Sequence, residues 1–280
     1  MTDPFQARIA RDLVVVEGPD ATSFLQSLVS QDLDAVAVGT AGHALLLQPQ
    51  GKLLVDFYAA HVEPDAWWCM CEGGFGDALE SGLSRFKIRV KADVRQVPVA
   101  ALAIRGMQPE AAPDVQLVAV DWGGGLAFDA VGSEAAIAAL SGRVDAPLLD
   151  ADAYEVARIE AGVPRQGFDT DERTIPQEAG LELVAVSFTK GCFVGQELVC
   201  RIDTRGRVNR HLRRLRAPAG IPAEGAAGIM ARGVAVVFEG REVGEVTSAT
   251  GALALAMLRR EVEPGVQVTA GAVEAVVEAL

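Results

Sequence analysis

The chain has 280 residues, half of them hydrophobic, 22% charged and 5% aromatic, with a formal net charge of −13. That length supports a sizeable core and two or three domains, built mainly from Val, Leu, Ala and Ile. An acidic whole repels phosphate backbones, which argues against sequence-blind nucleic-acid binding outside a locally basic patch.

The start, MTDPFQARIARDL, carries no apolar h-region, and no apolar run reaches the ~18–20 residues of a membrane helix. The expectation is a cytoplasmic protein with reduced thiols. LVVV (13–16) is an apolar run closed by a turn at EGPD, and Asp20 is a suitable N-cap for a helix carrying Phe24, Leu25, Leu28 and Val29 at helical spacing. HALLLQPQGKLLVDFYAAHV (43–62) predicts a hairpin around Gln48-Pro49-Gln50-Gly51, with Pro second and Gly fourth as a type I turn prefers. WWCMC (67–71) predicts another strand.

RFKIRVKADV (85–94) alternates strictly: Arg85, Lys87, Arg89 and Lys91 on one face, Phe86, Ile88 and Val90 on the other. That pattern predicts a strand with a basic face, either solvated or a cationic wall for an anionic ligand tail. Residues 97–148 read as a small α/β unit, with Ser133 capping a helix that ends at Gly142. DADAYEVARIEAG (150–162) predicts a helix stopped at Gly162, and Thr174 with Gln177 has capping-box spacing. From 212 onward, Gly-rich turns between short Val-rich runs predict a small antiparallel sheet or barrel, with a domain boundary near 203–222.

The cysteines are Cys69, Cys71, Cys192 and Cys200; with His43, His61 and His211 far apart in sequence, they do not read as a zinc site. Cys192 stands out, because it lies in KGCFVGQE (190–197). Lys190 can stabilise a thiolate, Gly191 and Gly195 permit tight turns or close approach of a ligand, and GQELVCRI reads as a helix start with Glu197 at its positive end. A small buried hydrophobe and a reactive or ligand-facing thiol are both compatible with the residues alone. Cys200, among apolar neighbours, reads as core.

KGCFVGQE resembles the K-G-C-[FY]-x-G-Q-E signature of the YgfZ family of folate-binding proteins, relatives of the glycine-cleavage T-protein. RIEAGVPRQG (158–167), TIPQEAGLE (174–182), GPDATSFLQSLVSQDL (18–33), the QPQGKLLVDF hairpin and GEVTSA (244–249) are similar too, so the resemblance covers nearly the whole chain, most thinly over 95–150. It implies an α+β, three-domain T-protein-like ring with ferredoxin-like portions and a C-terminal β-barrel, and tetrahydrofolate or a one-carbon derivative in a central funnel. The implied domains are 1–95 with 150–203, an inserted 96–149, and the barrel 204–280. The implied role is support of iron–sulfur cluster assembly or repair, with client or assembly proteins as partners and an indirect effect on tRNA modification. Whether a one-carbon transfer is catalysed is left open.

By the same resemblance Glu160 is the pterin-binding carboxylate; a carboxylate accepts the paired N–H groups of a pterin edge as it does those of a guanidinium. Tyr154 either stacks on the ligand or is a half-buried core aromatic. Asp56 is a second acid, but T-proteins carry an Asp-Asp pair where this chain has Val55-Asp56, which weakens the alternative of a true aminomethyltransferase. Gly191, Gly195, Gln196 and Glu197 complete the implied binding set, with Cys192 as functional thiol and Lys190 as its activator. The seven arginines of RIDTRGRVNRHLRRLR (201–216) are a tail-binding patch, a docking surface for an acidic partner, or a solvated linker.

Overall fold

The computed structural model describes residues 3–218 and 230–280. In chain order it runs β1 (Phe5–Ile9), β2 (Arg11–Glu17), α1 (Ala21–Leu28), β3 (Ala41–Leu47), β4 (Leu53–Glu63), β5 (Ala66–Glu72), α2 (Gly76–Ser84), β6 (Asp93–Val97), β7 (Ala100–Arg105), β8 (Val115–Ala119), β9 (Ala127–Gly132), α3 (Glu134–Ser141) and β10 (Leu148–Leu149). There follow α4 (Ala151–Glu160), α5 (Glu182–Ala185), α6 (Gln196–Arg205), β11 (Arg210–Arg216), β12 (Ala235–Phe238), β13 (Arg241–Thr250), β14 (Leu253–Arg259), β15 (Gln267–Ala270) and β16 (Val273–Glu278). The described residues divide into two compact units, one within 1–151 and 182–200, the other within 152–181 and 201–280. The residues 219–222 of the expected boundary lie outside those described.

The first unit is built on two five-stranded sheets, ordered β10-β1-β7-β9-β8 and β3-β4-β5-β2-β6. Their facing surfaces share a core of Leu13, Val15, Ala60 and Met70 from the second sheet with Val118 and Val131 from the first. The opposite face of the second sheet carries Val14, Val16, Leu46, Val55, Phe57 and Trp67, which bury Phe24, Leu25 and Leu28 of α1 and Leu79 and Leu83 of α2. On the outer face of the first sheet, Leu102, Ile104 and Ala130 pack on Ile137 and Leu140 of α3. Period-two burial along β4, with Leu53, Val55, Phe57 and Ala59 inside, is what an antiparallel strand between two packed layers requires.

The hairpin and the 67–71 strand form as predicted, with Gly51 N donating to Gln48 O at 2.8 Å. Ser133 caps α3, its hydroxyl accepting from Ala136 N at 3.2 Å. Three expectations are corrected. No strand spans 85–94: α2 occupies Gly76–Ser84, and β6 starts only at Asp93. The last pair of the β2–β6 ladder is Glu17 with Asp93; Gly18 (φ +131°) then turns β2 away, so the alternating residues upstream have no strand to pair with. Asp20 makes no side-chain cap to α1; its Oδ2 accepts from Lys91 N at 2.8 Å. Thr174 belongs to a turn with Asp171, and it is Glu178, one residue beyond Gln177, whose carboxylate accepts from Ile175 N at 2.9 Å.

In the second unit β11-β14-β13-β12-β15-β16 close into a barrel, filled by Leu215, Val236, Val246, Leu258, Val268, Ala275 and Val277. Closure removes the exposed edges that an open sheet of this composition would leave.

Candidate functional site

The KGCFVGQE stretch leads into α6 as the sequence predicts, with Glu197 in its first turn and Gln196 Oε1 accepting from Phe193 N at 3.0 Å. Gly195 has φ +80°, and a Cβ there would sit 2.4 Å from Gln48 O and 3.1 Å from Gly51 Cα. Gly51, at φ +76°, is reciprocally closed by Leu198 Cβ at 2.7 Å and Gly195 O at 2.9 Å. The two glycines let the tip of the β3–β4 hairpin and the motif loop touch backbone to backbone. Gly191 meets nothing within 4 Å and remains beside open space.

Lys190 does something other than the thiol activation expected of it. Its Nζ donates to the carbonyls of Gln26 (2.7 Å), Val29 (2.7 Å) and Gln31 (2.8 Å) and to Gln26 Oε1 (3.2 Å). These oxygens sit at the C-terminal end of α1 and just past it, where a helix leaves carbonyls unpaired and its dipole favours a cation. Burial pushes this ammonium down to about 8, against the pull of Asp32 and Asp34. The lysine fastens the motif loop to α1 and leaves Cys192 exposed on that fastened loop. Cys69 and Cys71 are buried in the sheet; burial raises both thiols, Cys71 to about 12, and Cys200 is half-buried on α6.

Asp56 points out of the opposite face of β4 from Val55, which is fully buried in the core. A second acid at 55 would therefore face the core and not stand beside Asp56. Instead His43 Nε2 lies 2.6 Å from Asp56 Oδ1, and His43 Nδ1 lies 2.8 Å from Asp121 Oδ2. The imidazole stacks on Tyr58 at 4.2 Å, and the Tyr58 hydroxyl donates to the same Asp121 oxygen at 3.1 Å. Burial works against a charge on His43, but the two carboxylates outweigh it and raise it to about 9; reciprocally, His43 holds Asp121 below the usual carboxylate range. His43, Tyr58 and Asp121 were missed in the sequence. The first two were within reach, since His43 and Tyr58 are directly cross-strand in the predicted hairpin, whereas nothing local marks Asp121.

Glu160 and Tyr154 belong to the second unit, and Asp56, Lys190, Gly191, Cys192, Gly195, Gln196 and Glu197 to the first. Glu160 ends α4 with a half-exposed carboxylate whose Oε1 accepts from Arg216 Nη2 at 2.7 Å, while its carbonyl accepts from Arg214. Both arginines also hold Glu278, at 2.7 and 2.8 Å. Three of the seven arginines of 201–216 are thus committed to carboxylates: Arg210 to Glu178 (2.8 Å), and Arg214 and Arg216 to Glu278 and Glu160. Tyr154 is half-buried and leaves the helix about 120° around from Glu160, six residues on at ~100° per residue, so the two do not share one helix face.

Two further segments singled out in the sequence, RIEAGVPRQG and GEVTSA, meet each other. Arg158, buried, donates to Glu155 (2.6 and 2.9 Å) and to Asp169 (2.7 Å). Asp169, also buried, accepts from Arg165 N at 3.0 Å and from the Thr247 hydroxyl at 2.6 Å. Burial opposes the charge on Arg158, but Glu155 and Asp169 hold it above its ordinary value. RIEAGVPRQG and GEVTSA are joined here through one carboxylate.

Across its full length the chain superposes on the glycine cleavage system aminomethyltransferase T from Bartonella henselae, with a TM-score of 0.83 over 100% of this chain and 86% of that one, at 19% identity. The fold is that of an aminomethyltransferase. Residues 213–279 match the family model of the CAF17 C-terminal beta-barrel domain, which agrees with the closed barrel. The chain is 30% identical over 227 residues to the mitochondrial iron–sulfur cluster assembly factor IBA57 homolog of Phaeosphaeria nodorum, an alignment covering 75% of this chain and 54% of that protein. It is 28% identical over 276 residues to the mitochondrial iron–sulfur cluster assembly factor IBA57 of Homo sapiens, covering 90% of this chain and 76% of that protein. The chain thus spans only about half the length of the first of these relatives. Both are named as mitochondrial, which overturns the cytoplasmic expectation. Reduced thiols speak to redox poise and do not select among reducing compartments.

Proposed function

We propose that this chain is a tetrahydrofolate-binding accessory factor of the YgfZ and IBA57 kind that supports assembly or repair of iron–sulfur proteins, and through them tRNA modification. The observation that carries the reading is the motif loop. It presents Cys192 to solvent while Lys190, Gly195 and Gln196 hold the backbone around it. An exposed thiol on a fixed loop suits contact with a client or assembly protein. One sulfur cannot hold a cluster by itself, so any ligation takes further ligands from the partner.

The chemistry of the residues, taken within each unit by itself, supports a folate reading. Glu160 offers a half-exposed carboxylate paired with Arg216, with acceptor capacity left for a pterin edge. Glu160 is the pterin acceptor, and Arg216 orients it. Asp56, fixed by His43, is the acid of the hairpin. Gly191, with open space beside it, is where the backbone leaves room for a ligand, and Glu197 belongs to the same motif. Bound tetrahydrofolate supplies a carrier for a one-carbon unit; this chain's part is to bind and orient it.

The test is thermal stabilisation by tetrahydrofolate, which binding to the native state requires. Glu160→Gln should lose most of the shift; an unchanged shift in that variant overturns the assignment. Cys192→Ala should keep the shift and fail to restore activity of a [4Fe–4S] enzyme in a strain lacking this protein. The aminomethyltransferase reading has the fold in its favour, but the chain places a buried Val55 where the T-protein pattern has a second acid. Formation of methylenetetrahydrofolate from an aminomethylated carrier would establish it instead.

A further inference from the structure

The segment between α2 and β6 is not the solvated strand its sequence suggests. Its base is anchored: Lys91 N donates to Asp20 Oδ2 at 2.8 Å, Asp20 N donates back to Lys91 O at 3.3 Å, and Val90 packs against the core. Its tip is a compact loop, with Lys87 N bonded to Ser84 O (3.1 Å), Ile88 N to Phe86 O (2.9 Å), and Arg89 turned at φ +58°. That left-handed turn is one a non-glycine residue adopts only where its surroundings hold it.

The loop exposes Ile88 at 77% and Phe86 at 37%. Arg85, Lys87, Arg89 and Lys91 surround them; Lys87 pairs with Asp93 at 3.1 Å, and among the described residues no carboxylate forms an ion pair with the side chain of Arg85, Arg89 or Lys91. Subtracting these four charges from the net −13 leaves −17 for the rest of the chain. A locally cationic loop with an apolar centre thus stands on a strongly acidic body.

We propose that this loop docks a partner protein through an apolar pocket rimmed by Asp and Glu. Apolar centre and charged rim are the two parts of a specific interface; the centre supplies binding energy, and the rim steers and selects. A lipid bilayer or a nucleic acid would extend past the loop and meet the acidic body within the ~8 Å reach of unscreened charge. A folded partner with a small acidic patch engages the loop alone. The partner would be a client or assembly protein if the accessory-factor reading holds; the docking chemistry itself does not depend on folate.

The experiment uses the full chain and two fluorescein-labelled amphipathic peptides, one of Glu and Leu and its twin with Gln for every Glu, read by fluorescence anisotropy. Phosphatidylserine vesicles and a single-stranded RNA are run in parallel. The Glu/Leu peptide should bind, weaken as salt rises, and lose about tenfold in affinity in Arg85→Glu/Arg89→Glu and in the Gln twin. Ile88→Ser should weaken it independently, and the variants should keep the wild-type melting temperature and tetrahydrofolate shift. Equal binding by wild type and the charge-reversed variant, no binding of the Glu/Leu peptide, or tighter retention on vesicles or RNA overturns the proposal. Loss of the folate shift in wild type would sink the folate assignment and leave this one standing.

Discussion

The ammonium of Lys190 lies 2.7 Å from the carbonyl oxygen of Val29, the residue that closes α1. With three further oxygens around it, it satisfies a helix end that would otherwise be left unpaired. Replacing it with Met should cost about 1–3 kcal/mol of stability. The alkylation rate of Cys192 by iodoacetamide, measured below the melting transition, should stay within about twofold of wild type. A tenfold slower alkylation would restore the lysine to the role of thiol activator.

The two glycines of the motif should separate in mutagenesis. Gly195→Ala forces a side chain into a left-handed backbone and against Gln48 O, and should cost about 2 kcal/mol or more. Gly191→Ala enters open space and should change stability by no more than about 0.5 kcal/mol. Urea unfolding of both variants checks the contrast.

His43 should make stability depend on alkaline pH. Its folded value of about 9 lies above the ordinary 6.5, so its contribution is complete below about pH 6.5 and is lost as pH rises through 9. With Asp121 half exposed to solvent, the loss is on the order of 2 kcal/mol. His43→Gln should flatten that slope in a melting series from pH 6 to 10; an equal slope would assign it elsewhere.

Asp169 balances buried Arg158 and receives Thr247. Asp169→Ala leaves a guanidinium only partly compensated, and should destabilise the barrel unit by about 3 kcal/mol. Adding Arg158→Met should recover part of that loss. A double mutant no more stable than the single one would show the two residues uncoupled.

Patterns of period two and 3.6 made most of the fold legible: the hairpin, the 67–71 strand, α1, α3, α4 and the barrel strands all follow from side chains alternating between a core and water. The same pattern misled at 85–91, because alternation describes a strand only if a neighbour offers a ladder, and β2 has already turned away at Gly18. The 190–197 motif singled out Cys192, and sequence proximity made Lys190 its partner. The helix end that claims Lys190 is about 160 residues away in the chain.

From its sequence alone, this protein has a core of aliphatic residues, an acidic surface, a C-terminal run of short strands fit for a small sheet or barrel, and one cysteine set in a glycine-flanked loop before a helix. Those are local properties, written in composition, periodicity and spacing. Only tertiary structure decided that Lys190 caps α1, that Gly51 and Gly195 touch, that His43 bridges Asp56 and Asp121, and that Asp169 joins Arg158 to Thr247. Each is a contact between distant residues, made by packing that buries apolar surface and leaves every enclosed charge in need of an opposite partner.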